Sequence, residues 1–303
     1  VSSPADSAFN ELAALIAGAL AIGAPFAIAS TGALFSELAG SLNVGIEAAM
    51  LSGAFVAVLA SPLGAPAAVT LAIAAGCLAS AAQEAFARWR QADDFVTGVA
   101  ANLAAVGAVQ ALQRLAFGHD GAVPTAIFPL GAPFSSLAAL PVVGPIAASL
   151  DLTVLAAYAF ALALATILRR TPFGIRVACA GMSPESLRLA GLEPRTIKVA
   201  AYAISGGSAA FAGVCLASKV ASWVPGMTAG YGWISLVVVF LGGRHPIGTM
   251  SASVLLAMVI SLSNEAQGTL ALPAELLGAI PYLSALLAYC FVSGYRRRAS
   301  IRR

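Results

Sequence analysis

The chain is short of charge. Of its 303 residues, 10% are Asp, Glu, Lys or Arg and 60% are hydrophobic, whereas soluble domains carry about 25% charged residues. Lysine occurs only at Lys198 and Lys219. A chain so poor in charge has lipid as its main solvent. A net charge of +3 gives no case for nucleic acid. Cysteine is sparse too. Cys77, Cys179, Cys215 and Cys290 stand far apart, with no CxxC and no Cys/His cluster, which argues against a zinc or disulfide framework. They read as small apolar packing residues.

Catalytic signatures are missing as well. Neither lysine follows a glycine, so no Gly-Lys-Ser/Thr loop can hold nucleotide phosphates. HExxH, GxSxG and any workable Ser/His/Asp arrangement are absent. The opening "VSSPADSAFNEL" lacks the basic region of a cleaved signal. Val1 is either an alternative start or a trimmed end.

What the chain does have is a series of apolar runs long enough to cross a bilayer. They predict helices near 10–33, 44–61, 65–87, 95–116, 149–168, 199–219, 230–243, 246–264 and 275–294, the seventh short enough to be a partial crossing. Backbone groups in hydrocarbon must be paired internally, and no strand alternation is present. The expected fold is therefore an all-α polytopic membrane protein with about eight or nine transmembrane helices.

Orientation follows from the basic residues. With the segment between the fifth and sixth helices in the cytoplasm, 14 of the 16 basic residues lie inside, leaving Arg114 and Lys219 outside. This predicts an external N-terminus and a cytoplasmic C-terminus, with "YRRRASIRR" at the inner membrane surface. An outer loop at 118–146 is rich in Pro and Gly, and its His119 and Asp120 form a candidate metal or proton pair. The inner loop, 169–198, contains "SPESLRLAGLEP". Ser183 suits an N-cap, Pro184 the first helical position and Glu185 the positive end of the dipole. Gly191 and Pro194 stop the helix. Two turns do not persist alone in water, so this helix reads as a docking element, with Leu187 and Leu189 as apolar surface.

Several stretches carry a family resemblance: "SELAGSLNVGIEAAML" (36–51), "DDFVTGVAANLAAVG" (93–107), "GIRVACAGMSPESLRLAGLEPRTIKVAAYAISGGSAAFAG" (174–213), "MTAGYGWISLVVVFLGGRHPIG" (227–248) and "PYLSALLAY" (281–289). In these the chain resembles permease subunits of bacterial importers of the branched-chain amino acid/ribose/nucleoside type, most closely the branch serving nucleosides, riboflavin and related molecules. Ala48 departs from the glycine usual in that branch. The resemblance implies a multi-pass protein of the bacterial cytoplasmic membrane that is not itself an enzyme and binds no cofactor. It also implies a second permease (paralogue or copy), a cytoplasmic ATPase holding ATP and Mg²⁺, and an extracytoplasmic binding protein or lipoprotein. The segment 183–191 matches the family's coupling helix, with Ser183, Pro184, Glu185, Leu187, Arg188, Leu189 and Gly191 as its residues.

Polar groups inside the apolar runs are the remaining candidates. Glu37, Asn43 and Glu47 flank a break between the first two helices, where a carboxylate usually pairs with other polar groups. Asn43 can satisfy the open backbone there, and Glu47 can accept amides or an arginine. Their alternative role is in the substrate pathway, together with Asn102, Trp233, Asn264 and Gln267. Gln110 is a further polar position on the fourth helix. The run "SGGSAAFAG" (205–213) reads as close helix packing. Trp223, Tyr231 and Trp233 read as an interfacial belt or as a stacking surface for an aromatic cargo. A self-sufficient secondary transporter, with Glu37 and Glu47 as ion sites, is the competing class. A sugar or a branched-chain amino acid is the competing cargo.

Overall fold

The computed structural model describes residues 4–125, 151–228 and 230–269 and the helical positions 283, 286, 287 and 290, with side-chain detail beginning at Leu12. The expected helix at 275–294 and most of the 118–146 loop lie outside the described residues. The chain folds as helices α1 (Pro4–Leu38), α2 (Ile46–Leu59), α3 (Ala65–Arg90), α4 (Asp94–Phe117), α5 (Leu152–Arg170), α6 (Pro172–Met182), α7 (Pro184–Leu189), α8 (Pro194–Val220), α9 (Tyr231–Leu241) and α10 (Pro246–Thr269). A two-residue antiparallel ribbon pairs Val123 with Trp223 and Pro124 with Ser222.

Six of these helices are long and apolar enough to cross a membrane: those over 12–38, 65–90, 94–117, 152–170, 194–220 and 246–265. The protein is thus an all-α, multi-pass membrane protein. The first eight expected helices each have a counterpart. α1 runs further than the apolar pattern predicts, because Ser36 and Glu37 continue its last turns. α6 was not anticipated. Thr171 caps it, accepting the amide of Gly174 at 3.4 Å, and Pro172 opens it.

Helix α8 is the hub and packs on α1, α2 and α3. It is buried continuously from Ser205 to Ser218, so the small-residue run is a packing surface. By contrast, α3 and α4 leave large apolar side chains uncovered, among them Leu78, Leu103 and Leu115, as a lipid-facing helix does.

Helices α2 and α9 are too short to cross by themselves. Their 14 and 11 residues span about 21 and 16 Å at 1.5 Å per residue, against a hydrocarbon core of about 30 Å. Each is entered through irregular backbone, 39–45 for α2 and 224–228 for α9. Such backbone is tolerated at membrane depth only where protein buries and pairs it. Ala39, Ser41, Asn43 and Val44 are all buried.

Candidate functional site

Pairing of the first break is nearly complete. The amides of Ala39, Gly40 and Ser41 donate back to Phe35, Glu37 and Ser36. The Asn43 amide donates to Ser36 Oγ at 3.3 Å, and Asn43 Oδ1 accepts from Gly45 N at 3.0 Å. Its Nδ2 donates to Ser205 Oγ at 3.2 Å and Ser80 Oγ at 3.4 Å. Asn43 is fully buried. It knits the break to α3 and α8.

Asn102 clamps the same break from α4. Its Oδ1 accepts from Ala48 N at 2.9 Å and its Nδ2 donates to the Val44 carbonyl at 3.1 Å. The Ala48 amide is one of the first-turn donors of α2 that has no partner within the helix.

Glu47 joins the two half-helices. Oε1 accepts from Thr228 Oγ1 at 2.5 Å and Gly230 N at 3.1 Å, and Oε2 accepts from Gly232 N at 2.8 Å. Glu47 lies in the first turn of α2 while capping the first turn of α9, which has no side-chain cap of its own. A carboxylate is favoured at the positive end of either helix. The close approach needs Gly232: a Cβ there would stand 2.7 Å from Glu47 Cα.

These groups wall a cavity of about 310 Å³ between α2, α4 and the 223–228 stretch, with Glu47, Asn102, Gln110, Gln113, Trp223 and Thr228 as its polar lining. Volumes of this order hold small organic ligands. Trp223 is 1% exposed. Its Nε1 donates to Gln113 Oε1 at 2.9 Å, and its ring meets Phe55 edge-on with centroids 5.3 Å apart. Gln113 Nε2 in turn holds the carbonyls of Gly121 and His119 at 2.7 and 3.3 Å. The belt expectation therefore fails for Trp223, which is a buried cavity wall. Tyr231 stacks on Phe26 with centroids 4.6 Å apart.

The structure thus brings together Glu47 and Asn102 but not the rest of the expected pathway set. Trp233 is 40% exposed and Asn264 is exposed, neither of them on the cavity. Gln267 has no described side chain. Glu37 pairs with Arg244 at 2.5 Å, joining the end of α1 to the turn before α10. Asp120 is held by Arg114 at 2.6 Å, and that hydrogen bond lowers its carboxyl pKa. His119 Nδ1 accepts from Gly121 N at 3.1 Å. Among the described residues no group of three or more His, Cys, Asp or Glu could hold a metal.

Toward the α6–α7 end lies a cluster that single-residue reading missed. Ser41 Oγ donates to Asp94 Oδ2 at 2.6 Å and sits 3.3 Å from both Glu84 Oε2 and the Tyr202 hydroxyl. Arg88 pairs with Glu84 at 3.2 Å and with Asp94. Tyr202 donates to the Leu42 carbonyl at 3.0 Å. Glu84 and Tyr202 are fully buried. A signal did exist: an ionisable residue within an apolar helix, with an arginine at i+4.

The chain matches the branched-chain amino acid transport system / permease component family over residues 15–289. It belongs to that family. It is a transport subunit, not an enzyme. It is 32% identical over 265 residues to the guanosine ABC transporter permease protein NupQ of Bacillus subtilis, covering 83% of this chain and 82% of the relative. Similarity to the nucleoside ABC transporter permease protein NupC of Lactococcus lactis is 26% over 300 residues, 94% of each chain. A putative glucose ABC transporter permease protein of Haloferax volcanii is 27% identical over 299 residues, 88% of each chain. No solved structure matches at comparable significance.

Proposed function

We propose that this permease carries nucleosides across the bacterial cytoplasmic membrane as part of an ATP-driven importer. Its partners are a second permease chain, a cytoplasmic ATPase that holds ATP and Mg²⁺, and an extracytoplasmic binding protein. The observation that carries the reading is the polar-lined cavity at the meeting of two half-helices inside an otherwise apolar bundle. Discontinuous helices that start at membrane depth are how transporters place polar groups where a solute crosses. Likeness to a guanosine and a nucleoside permease favours a nucleoside over riboflavin or a sugar.

The α6–α7 end is then cytoplasmic, with eight or nine crossings, an external N-terminus and an internal C-terminus. Arg169, Arg170, Arg176, Arg188 and Arg195 are all exposed at this end, as the inner-side excess of basic residues requires. Helices α6 and α7 form the surface for the ATPase. Ser183 and Ser186 hydroxyls meet at 2.7 Å, Glu185 pairs with Arg188 at 3.2 Å, and Gly191 turns the chain at φ +74°. Leu187 is not the surface residue the sequence pattern implies, because it is buried at 5% exposure. Leu189 and Met182 supply the exposed apolar surface. A Cβ on Gly40 would stand 2.9 Å from Gly181 Cα, so the end of α6 bears directly on the break that leads to Glu47.

The test is uptake of labelled guanosine, riboflavin and glucose by proteoliposomes holding the complete importer. ATP-dependent guanosine uptake that requires the binding protein supports the reading. Uptake by the permease alone without ATP would assign it to secondary transport instead. Uptake of glucose or riboflavin but not guanosine would reassign the cargo.

A further inference from the structure

The cavity's polar residues differ in what they have left to offer. Both ends of the Asn102 amide are engaged with backbone, and both ends of the Gln113 amide are engaged. Glu47 holds three donors, and the Thr228 hydroxyl and Trp223 ring nitrogen have each donated. Gln110 lines the same cavity and makes no hydrogen bond among the described residues.

Gln110 is exposed, about two turns before the end of α4 at Phe117. Its amide is therefore open to a solute that enters the cavity.

We propose that Gln110 is the residue that reads the cargo. It would do so with a paired hydrogen bond from its Nε2 and to its Oε1, made to a neutral heterocycle presenting an acceptor and a donor side by side. The inference rests on the nucleoside reading above and deepens it. Nucleobases carry such edges, and carboxamides pair with them bidentately. A hexose has no planar edge of this kind. Glu47 and Asn102 then shape the site rather than contact the cargo, because their hydrogen-bonding atoms are already taken up by the two breaks. With Gln110 on one wall and the Trp223 ring on another, the cavity suits a flat, uncharged ligand.

The experiment compares the parental importer with Gln110→Leu and Gln110→Asn in proteoliposomes at saturating binding protein, reading maximal uptake rates for guanosine, adenosine and uridine. Loss of one ordinary hydrogen bond corresponds to a factor of about five. Gln110→Leu should lower the guanosine rate by at least that factor, and the adenosine and uridine rates as well, since each base presents a donor beside an acceptor. It should leave the yield of assembled complex at the parental level. Gln110→Asn, which keeps the amide on a shorter stem, should recover part of the rate. No loss for any of the three nucleosides, or a fall in assembled complex, would overturn the assignment. The last would make Gln110 a helix-packing contact. If the parental importer takes up no nucleoside at all, the nucleoside reading falls and this inference falls with it.

Discussion

At the scale of single residues, the same two side chains that line the cavity also hold its walls. Glu47 makes three hydrogen bonds across the gap between α2 and α9, and a bond to a charged group contributes about 1.5–3 kcal/mol. Glu47→Leu should therefore sharply reduce the yield of folded permease. Glu47→Gln keeps an acceptor oxygen but turns an NH₂ toward amide donors, so it should be intermediate. The reading is the midpoint of thermal unfolding in detergent, and an unchanged midpoint for Glu47→Leu would remove the clamp. Asn102→Leu frees the Ala48 amide and the Val44 carbonyl, each costing about 1–3 kcal/mol when buried and unpaired. It should lower the midpoint even in variants that still assemble with the other subunits.

At the scale of elements, two junctions carry the argument. The first is the Ser41, Glu84, Arg88, Asp94 and Tyr202 cluster, which ties α3, α4 and α8 to the first break. Removing one partner of a buried ion pair costs about 3–5 kcal/mol. Arg88 is 33% exposed while Glu84 is 0%, so Arg88→Met should fall at or below the lower end of that range. Adding Glu84→Gln should restore much of the loss, since it removes the fully buried one of the two carboxylates left without Arg88, Asp94 being 25% exposed. Failure of the double variant to recover in thermal unfolding would show that the unpaired Glu84 charge is not the source of the loss.

The second junction is α6–α7. Leu189→Asp, made together with Arg188→Glu, changes only exposed side chains, so insertion and the parental unfolding midpoint should persist. Association with the ATPase should weaken, because the apolar contact gains an unpaired charge. Co-purification at the parental level would remove this surface as the docking site. Leu187→Asp should instead destabilise the permease itself, because Leu187 is packed inside.

At the scale of the whole molecule, the proposed topology places successive loops on alternate sides of the membrane, so one orientation assignment sets every loop. In a cysteine-free background, Ser186→Cys should react with an impermeant thiol reagent only from the cytoplasmic side, and His119→Cys only from outside. Both positions are exposed. Reaction of Ser186→Cys from outside would invert the proposed topology and with it the location of the ATPase surface.

Sequence alone determined what depends on local composition and spacing. Apolar runs of bilayer length gave the crossing helices, because backbone in hydrocarbon has little choice but to pair within its own segment. The short seventh run already announced a partial crossing, and the Ser183-Pro184 and Gly191 punctuation announced α7. Helix α6 was legible in the same currency, from Thr171 and Pro172, but lay in a stretch taken as loop. The partners of the polar residues depended instead on the fold. Whether Glu47 meets an ion, a substrate or the amides of Gly230 and Gly232, more than 180 positions away along the chain, depends on how α9 is folded back against α2. Trp223 became a buried wall, Leu187 a core residue and Gln110 a cavity-lining residue with no hydrogen bond among the described residues for the same reason. Hydrogen bonds and burial between distant segments are properties of tertiary packing, and periodicity within one helix reports only which residues share its face.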